Sequence, residues 1–97
     1  MITYEELRKT YKKIIAWGGG IGFSQLYKGD KKDIAYVVDS NEKLWGSVVS
    51  ATDILICSPQ KVLEEKSHDT VIVITSQWKS QIYQNAREIG IKCDIYS

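Results

Sequence analysis

Five apolar runs recur along the chain, separated by turns rich in glycine, hydroxyl or charged side chains. They are Ile14–Trp17, Ile34–Val38, Ile54–Cys57, Thr70–Thr75 and Ile91–Tyr96. The runs are short, and most of them are continuous stretches of apolar residues rather than alternating apolar and polar residues. Such runs are typical of strands in a parallel sheet that helices cover on both faces.

The segments between these runs carry signals for helices. Thr3 and Glu6 have the spacing of a capping box, which predicts a short amphipathic helix over residues 3–12. Three further helices are expected: over residues 23–27, from Ser58 to about Glu65, and from Ser76 to Gly90. Right-handed crossovers then favour the strand order 3-2-1-4-5. The prediction is a three-layer α/β/α Rossmann-like sandwich with a five-stranded parallel sheet, preceded by a short N-terminal helix.

Length, charge and cysteine content narrow the class of protein. The 97 residues allow a single domain over residues 1–97, and 13 basic against 12 acidic side chains give a net charge of +1. We therefore expect no nucleic-acid partner. The chain has no apolar run that could span a membrane, no signal peptide and no spacing typical of metal ligands, so a cytoplasmic protein is expected. Cys57 and Cys93 fall on strands predicted at opposite edges, so both are expected to be reduced thiols.

The glycine cluster that follows the first strand is the clearest candidate for a ligand site. Its glycines allow a tight turn and a close approach of a phosphate to backbone N–H groups. Asp39 ends the second strand, 21 residues after Gly18, which is the usual place for a carboxylate that accepts a ribose hydroxyl. The carboxyl end of strand 4 lies beside strand 1 in the predicted order. The predicted ligand-binding residues are Gly18, Gly19, Gly20, Ile21, Gly22, Asp39, Ser40, Thr75 and Ser76.

Each of these residues also has a purely structural interpretation. The glycines can form a turn without a ligand, Asp39 can cap the turn that it begins, and Ser76 can cap the following helix. Phe23 stands where the third glycine of a G-x-G-x-x-G motif would be. Its direction therefore distinguishes the alternatives: a side chain that fills the space above Gly18 and Gly20 favours a docking module, and an open crevice favours a nucleotide site.

Catalytic chemistry has little support in the sequence. His68 is the single histidine, and it falls in the loop before strand 4, at the end of the sheet opposite the predicted site. We find no set of residues typical of a nucleophile and its base. No catalytic or metal-ligating residue is assigned.

With its strands placed, the chain resembles a bacterial module over residues 12–97. The module is a small Rossmann-like domain attached to sugar acyltransferases, methyltransferases and glycosyltransferases of surface-polysaccharide and nucleotide-sugar metabolism. The matching stretches are Ile14–Gly20, Tyr36–Asn41, Trp45–Gly46, Ile54–Gln60, Asp69–Thr75 and Glu88–Ile91. In sugar acyltransferases of this type the domain binds the uridine nucleotide of the substrate sugar. The resemblance gives that role to Gly18, Gly20 and Asp39, and it implies a catalytic domain that is fused to this one or acts as its partner.

The resulting hypothesis is a domain that binds a nucleotide or UDP-type nucleotide sugar and has no turnover of its own. A nucleoside diphosphate or its sugar is favoured over NAD, because a full dinucleotide needs two complete mononucleotide-binding halves. One alternative is a ligand-free docking or homodimerisation module, suggested by Trp45 and Trp78 at positions that favour exposure. The other is a minimal NAD-dependent oxidoreductase domain.

Overall fold

The computed structural model describes residues 4–20, 23, 27 and 30–96. Its strands are β1 (Lys13–Trp17), β2 (Ile34–Val38), β3 (Ile56–Cys57), β4 (Thr70–Ile74) and β5 (Asp94–Tyr96). They form one five-stranded sheet in the order β3-β2-β1-β4-β5, and every neighbouring pair is parallel. The predicted fold class and strand order are confirmed.

The α-helices whose bounds fall within the described residues are α1 (Tyr4–Thr10) and α2 (Lys79–Ile89), and both flank the sheet. Shorter 3-10 helices cover Lys31–Asp33, Glu42–Leu44 and Pro59–Glu64. Of the helix predicted over residues 23–27, only Phe23 and Tyr27 lie within the described residues, and Phe23 is helical. Among the helices of the described segments, none has the length and apolar character needed to cross a bilayer.

The helix predicted after Ser58 begins as expected but is a 3-10 helix. The Ser58 hydroxyl accepts the backbone N–H of Gln60, and Pro59 occupies the first helical position. The buried residues of this helix are Pro59 and Val62, which are three positions apart. A repeat of three residues per turn places both side chains on one line. This alignment accounts for the tighter helix.

Each face of the sheet packs against its own core. The first face carries α1 and the aromatic ring of Phe23, and its core residues include Leu7, Ile14, Ala16 and Val37. The second face carries α2 and the 3-10 helix Pro59–Glu64. Its core residues include Ile15, Trp17, Tyr36, Val62, Ile72, Ile82 and Ala86. Alternate residues of β1 thus face opposite layers, which explains why the strand is apolar throughout.

Strand register brings three strand ends level with one another. Trp17, the last residue of β1, pairs with Val38 of β2 on one side and with Ile74 of β4 on the other. From β1 the chain passes to β2, and from β3 it returns across the sheet to β4. The gap between β1 and β4 is therefore the topological switch point, where open α/β sheets bind their ligands.

Two predicted strands are shorter than the apolar runs suggest. Ile54 and Leu55 fall outside β3, because the chain folds back there: Leu55 bridges Val48 in an antiparallel sense, and Val49 N–H donates to the Ile54 carbonyl at 2.9 Å. Ile91 falls outside β5, because its N–H closes the end of α2 on the Ala86 carbonyl at 3.0 Å.

Gly90 enables the closure of α2. It lies in the left-handed region at φ +102, as expected for the residue that ends a helix.

Cys57 in β3 and Cys93 just before β5 are free thiols, and their strands lie at opposite edges of the sheet, as predicted.

Candidate ligand-binding cleft

A cleft of about 230 Å³ opens at the carboxyl ends of β1, β2 and β4, on the second face of the sheet. The strand ends contribute Trp17, Gly18, Asp39, Ser40 and Ser76. The segment that starts α2, together with α2 itself, contributes Trp78, Gln81, Ile82 and Asn85. Four of the predicted site residues, Gly18, Asp39, Ser40 and Ser76, thus share one cavity at the switch point.

Gly18 forms the floor of the cleft and has no room for a side chain. Its φ is +131, and a Cβ there would lie 2.9 Å from both the carbonyl oxygen and the hydroxyl oxygen of Thr75. Its N–H donates to the Val38 carbonyl at 2.8 Å, extending the pairing of β1 with β2 by one residue. Only glycine fits a position with both a positive φ and so close a neighbour.

Thr75 lies behind the cleft rather than in its lining. It is fully buried. Its hydroxyl lies 3.1 Å from the Trp17 carbonyl oxygen and 3.0 Å from that of Gly18, and its N–H donates to Trp17 at 3.0 Å. The hydroxyl therefore joins β4 to β1 where the two strands end.

Asp39 ties the glycine turn to the end of β2. Its Oδ2 accepts the N–H of Gly19 at 2.8 Å, and its Oδ1 accepts the N–H of Asn41 at 2.8 Å. The carboxylate is half-buried at the edge of the cleft. Because each carboxylate oxygen can accept two hydrogen bonds, capping this turn leaves acceptor capacity on both oxygens.

The other glycines of the turn differ in their surroundings. Gly19 is buried, and a Cβ there would lie 2.9 Å from Cδ1 of Ile56. Gly20 is exposed, has no atom within 4 Å of where its Cβ would stand, and does not have a positive φ. Ile21 and Gly22 lie outside the described residues. Gly20 is thus the described glycine of this turn that faces open space.

Phe23 points away from the cleft. Its ring is fully buried in the core of the first face and stacks on Tyr27, with ring centroids 5.4 Å apart and planes 7° apart. Phe23 N–H donates to the Gly20 carbonyl at 3.1 Å, which begins a helical turn. The cleft lies on the second face, so the Phe23 side chain does not fill the space at Gly18.

The sequence analysis missed Gln81 and Asn85, and it assigned Trp78 only to a possible docking surface. These three residues are spaced three and four positions apart, so they lie on one side of α2. Trp78 is 60% exposed. Nδ2 of Asn85 donates to the Ser40 hydroxyl over a long 3.4 Å, which joins α2 to the end of β2. The helical spacing of these polar and aromatic residues was the available signal.

Ser76 lines the cleft but does not cap α2. The helix begins at Lys79, with Trp78 as its N-cap and no side-chain hydrogen bond at that cap. The Ser76 hydroxyl instead accepts the N–H of Trp78 at 3.2 Å, which closes a turn before the helix. The predicted N-cap at Ser76 is therefore wrong by two residues.

The cleft lining is mostly apolar and nearly uncharged. Asp39 is the one charged side chain among its described residues, and the other polar side chains are hydroxyls and amides. Trp17 forms the inner wall and is 1% exposed. Within the described segments, its Nε1–H is the buried side-chain polar group that lacks a hydrogen-bond partner. An unpaired buried donor of this kind is unfavourable for folding.

Trp45 supports the Asp39 turn from outside the cleft. Its Nε1–H donates to the carbonyl oxygen of Asp39 at 2.7 Å, while 41% of the residue stays exposed. Val48 and Leu55, which bridge each other beside β3, are 51% and 46% exposed. The β3 edge therefore presents apolar side chains to solvent.

His68 lies far from the cleft along the strands. It precedes β4, and its side chain is 80% exposed and 3.5 Å from Asp69 Oδ2. Among the described residues, no three histidine, cysteine or acidic side chains are grouped as metal ligands would be.

Comparison with known proteins identifies a matching family. The model of the C2185-like, N-terminal family matches residues 10–94, a segment that includes β1 to β4, α2 and every residue of the cleft lining. No curated protein and no solved structure matches the chain.

Proposed function

We propose that this chain, which belongs to the C2185-like, N-terminal family, binds a nucleotide or UDP-type nucleotide sugar in the cleft at the carboxyl edge of its sheet. One observation carries the proposal. Gly18, Asp39, Ser40 and Ser76 come from the ends of three strands, and they meet in one cavity at the topological switch point. That is where open α/β sheets bind nucleotides.

The direction of Phe23 supports binding over docking. Its ring lies in the core of the opposite face, and the position of a Cβ on Gly20 is empty to 4 Å. A ligand can therefore approach the exposed backbone at Gly20 while its hydroxyl groups reach Asp39. The remaining acceptor capacity of that carboxylate suits ribose hydroxyls.

In this proposal the domain binds its ligand and a second domain performs the chemistry. The family is described as N-terminal, which fits a module followed by a catalytic domain. The cleft offers Asp39 as its one carboxylate, and both of its oxygens hold backbone N–H groups. NAD suits a cavity of about 230 Å³ poorly, because its two nucleotides span two binding halves.

Calorimetry with UDP, a UDP-hexose, ADP and NAD tests the proposal. We expect UDP-type ligands to bind. Gly20→Val, which places a side chain in the path of the phosphates, and Asp39→Asn should each weaken binding about tenfold or more. Gly20→Val should fold normally, because its Cβ enters open space outside the left-handed region.

Asp53→Asn is the matched control for the change at Asp39. Asp53 is exposed and does not line the cleft, so this variant should bind as the parent does. Folding of each variant is checked by circular dichroism. If folded Gly20→Val and Asp39→Asn both retain parental affinity, the glycine turn has no ligand and the proposal fails.

A second candidate function, a docking or homodimerisation module, is favoured by the exposed side chains at the β3 edge. Val48 and Leu55 are cross-strand neighbours that are each about half exposed. Sedimentation velocity on the parent and on Leu55→Ser tests this candidate. A dimer that Leu55→Ser dissociates, in a chain that binds no nucleotide, would replace the first proposal.

A further inference from the structure

The charge of the cleft is opposite to the one that phosphates require. Its described lining contains one carboxylate, Asp39, and no lysine, arginine or histidine. Like charges that lie close together at a protein surface repel each other. A diphosphate inside the cleft would meet that repulsion without a compensating cation. The cleft therefore favours an uncharged group.

The backbone amides of the glycine turn point to the same conclusion. Phosphate-binding turns offer their N–H groups to the ligand. Here the N–H of Gly18 donates to the Val38 carbonyl at 2.8 Å, and that of Gly19 donates to Asp39 Oδ2 at 2.8 Å. A phosphate at Gly19 would have to displace the carboxylate. Exposed Gly20, outside the cleft lining, is the remaining described glycine of this turn.

The neutral groups of the cleft match the two parts of a nucleoside. Trp78 presents an exposed indole, on which a planar base can stack. Gln81 and Asn85 add amides that both donate and accept hydrogen bonds, as the edge of a base requires. Among the described residues, the Asn85 amide donates to Ser40 over a long 3.4 Å, so a ligand can replace that contact at little cost.

The size of the cleft and its aromatic inner wall give further support. The cleft of about 230 Å³ is smaller than the roughly 300–1,000 Å³ of sites that enclose a drug-sized ligand, so it admits only part of a nucleotide sugar. Its inner wall is formed by the aromatic side chain of Trp17. An aromatic wall suits a planar ring better than it suits a phosphate.

We infer that the cleft binds the uncharged nucleoside portion of its ligand, with the base against Trp78, Gln81 and Asn85 and the ribose hydroxyls on Asp39, and that the phosphates add little affinity. This inference rests on the proposed function and deepens it. The phosphates extend past Gly20 into solvent. Recognition then depends on the base rather than on charge.

Calorimetry with uridine and UDP, and with adenosine and ADP, tests the inference on the whole chain. Within the pair that binds more tightly, we expect the nucleoside and its diphosphate to differ less than fivefold in Kd. The affinity of the diphosphate should change less than threefold between 50 and 500 mM NaCl, because no cation contacts it.

The outcomes separate this inference from the proposed function. A diphosphate that binds more than tenfold more tightly than its nucleoside, with an affinity that falls steeply with salt, would overturn the inference and leave nucleotide binding in place. If no nucleoside or nucleotide binds, both fail.

Variants of α2 locate the base. Trp78→Ala should weaken nucleoside binding about tenfold or more, and Trp78→Phe should recover most of the loss, because base stacking needs an aromatic ring. The N-cap makes no side-chain hydrogen bond, so Trp78→Ala should still fold.

Tyr83→Ala is the matched control for Trp78. Tyr83 is an aromatic residue of the same helix, 49% exposed and outside the cleft lining, so this variant should bind as the parent does. Parental affinity in Trp78→Ala, or an equal loss in Tyr83→Ala, would overturn the placement of the base.

Discussion

Two carboxylates at opposite ends of the sheet have different partners. At the amino end, the side chains of Lys13 and Tyr36 both contact the carboxylate of Glu65. At the carboxyl end, the hydrogen bonds that Asp39 accepts from the described residues come from the backbone. Glu65 Oε1 accepts from Lys13 Nζ at 2.8 Å, and its Oε2 accepts from the Tyr36 hydroxyl at 2.7 Å. Asp39 instead holds the N–H groups of Gly19 and Asn41. Both carboxylates are well hydrogen-bonded, yet their neighbours differ.

The groups around each carboxylate determine whether it stabilises the fold or can also contact a ligand. Burial would raise the pKa of Glu65, but its bonds from Lys13 and Tyr36 outweigh burial and lower that pKa. Burial and the nearby Glu65 raise the pKa of Tyr36. The Glu65 cluster is thus closed by side chains and stabilises the fold. Asp39 faces a cleft without cations, and its free acceptor capacity points to ligand binding.

The largest expected loss of stability comes from a substitution at Gly18, which is packed as tightly as a core residue although it lies at the carboxyl end of the sheet. Gly18→Ala forces a non-glycine residue to φ +131 and puts its Cβ 2.9 Å from the Thr75 carbonyl oxygen. We expect a loss of about 3 kcal/mol in the free energy of unfolding, measured by urea denaturation.

Gly20→Ala is the control for that loss. Its Cβ enters open space, so the free energy of unfolding should change by less than about 1 kcal/mol. Equal losses in the two variants would show that the turn is uniformly strained and that Gly20 is not free for a ligand.

The next largest effect concerns the amino end. Glu65→Gln removes the ion pair with Lys13 and weakens the bond from Tyr36, in a side chain that is 13% exposed. We expect a loss of about 1–2 kcal/mol in the free energy of unfolding and no change in nucleotide affinity. Calorimetric titration of this variant checks that its nucleotide affinity is unchanged. A loss of affinity would mean that the two ends of the sheet are coupled.

Parts of this architecture could be predicted because they follow from local rules. Apolar runs such as Ile34–Val38 indicate parallel strands, and handed crossovers then determine their order. The glycine at position 18 and the acid at position 39 follow because both sit directly after a strand. A residue that directly follows a parallel strand lies at the carboxyl edge of the sheet.

The remainder depends on tertiary contacts that no local pattern contains. Gln81 and Asn85 look like ordinary solvated helix residues until α2 packs across the end of β2. Thr75 looks as available as Ser76, but the hydroxyl of Thr75 faces the backbone of β1 and that of Ser76 lines the cleft. Whether Asp39 keeps acceptor capacity likewise depends on which N–H groups reach it.

Thr75 and Ser76 provide the next test, which distinguishes a residue that stabilises the fold from one that contacts the ligand. Thr75→Val removes a buried hydroxyl that bonds to the ends of β1, so we expect about 1 kcal/mol less stability and unchanged nucleotide affinity. Ser76→Ala should bind nucleotide several-fold more weakly, while its free energy of unfolding stays within about 0.5 kcal/mol of the parent. Urea denaturation and calorimetry on both variants check this. Weaker binding in folded Thr75→Val would bring Thr75 back into the site.

The smallest effect is a pH dependence that belongs to the amino end. Because the folded-state pKa of Glu65 lies below its ordinary value of 4.5, its contribution to stability is fully present above that value. The contribution is lost as pH falls through the folded-state pKa. The parent should therefore lose stability between pH 6 and pH 3 more steeply than Glu65→Gln, by less than the cost of that substitution at pH 7. Thermal unfolding of both proteins across this range measures the difference. Parallel curves would show that Lys13 and Tyr36 do not favour the charged form of Glu65, and the contrast between the two ends of the sheet would then rest on the cleft alone.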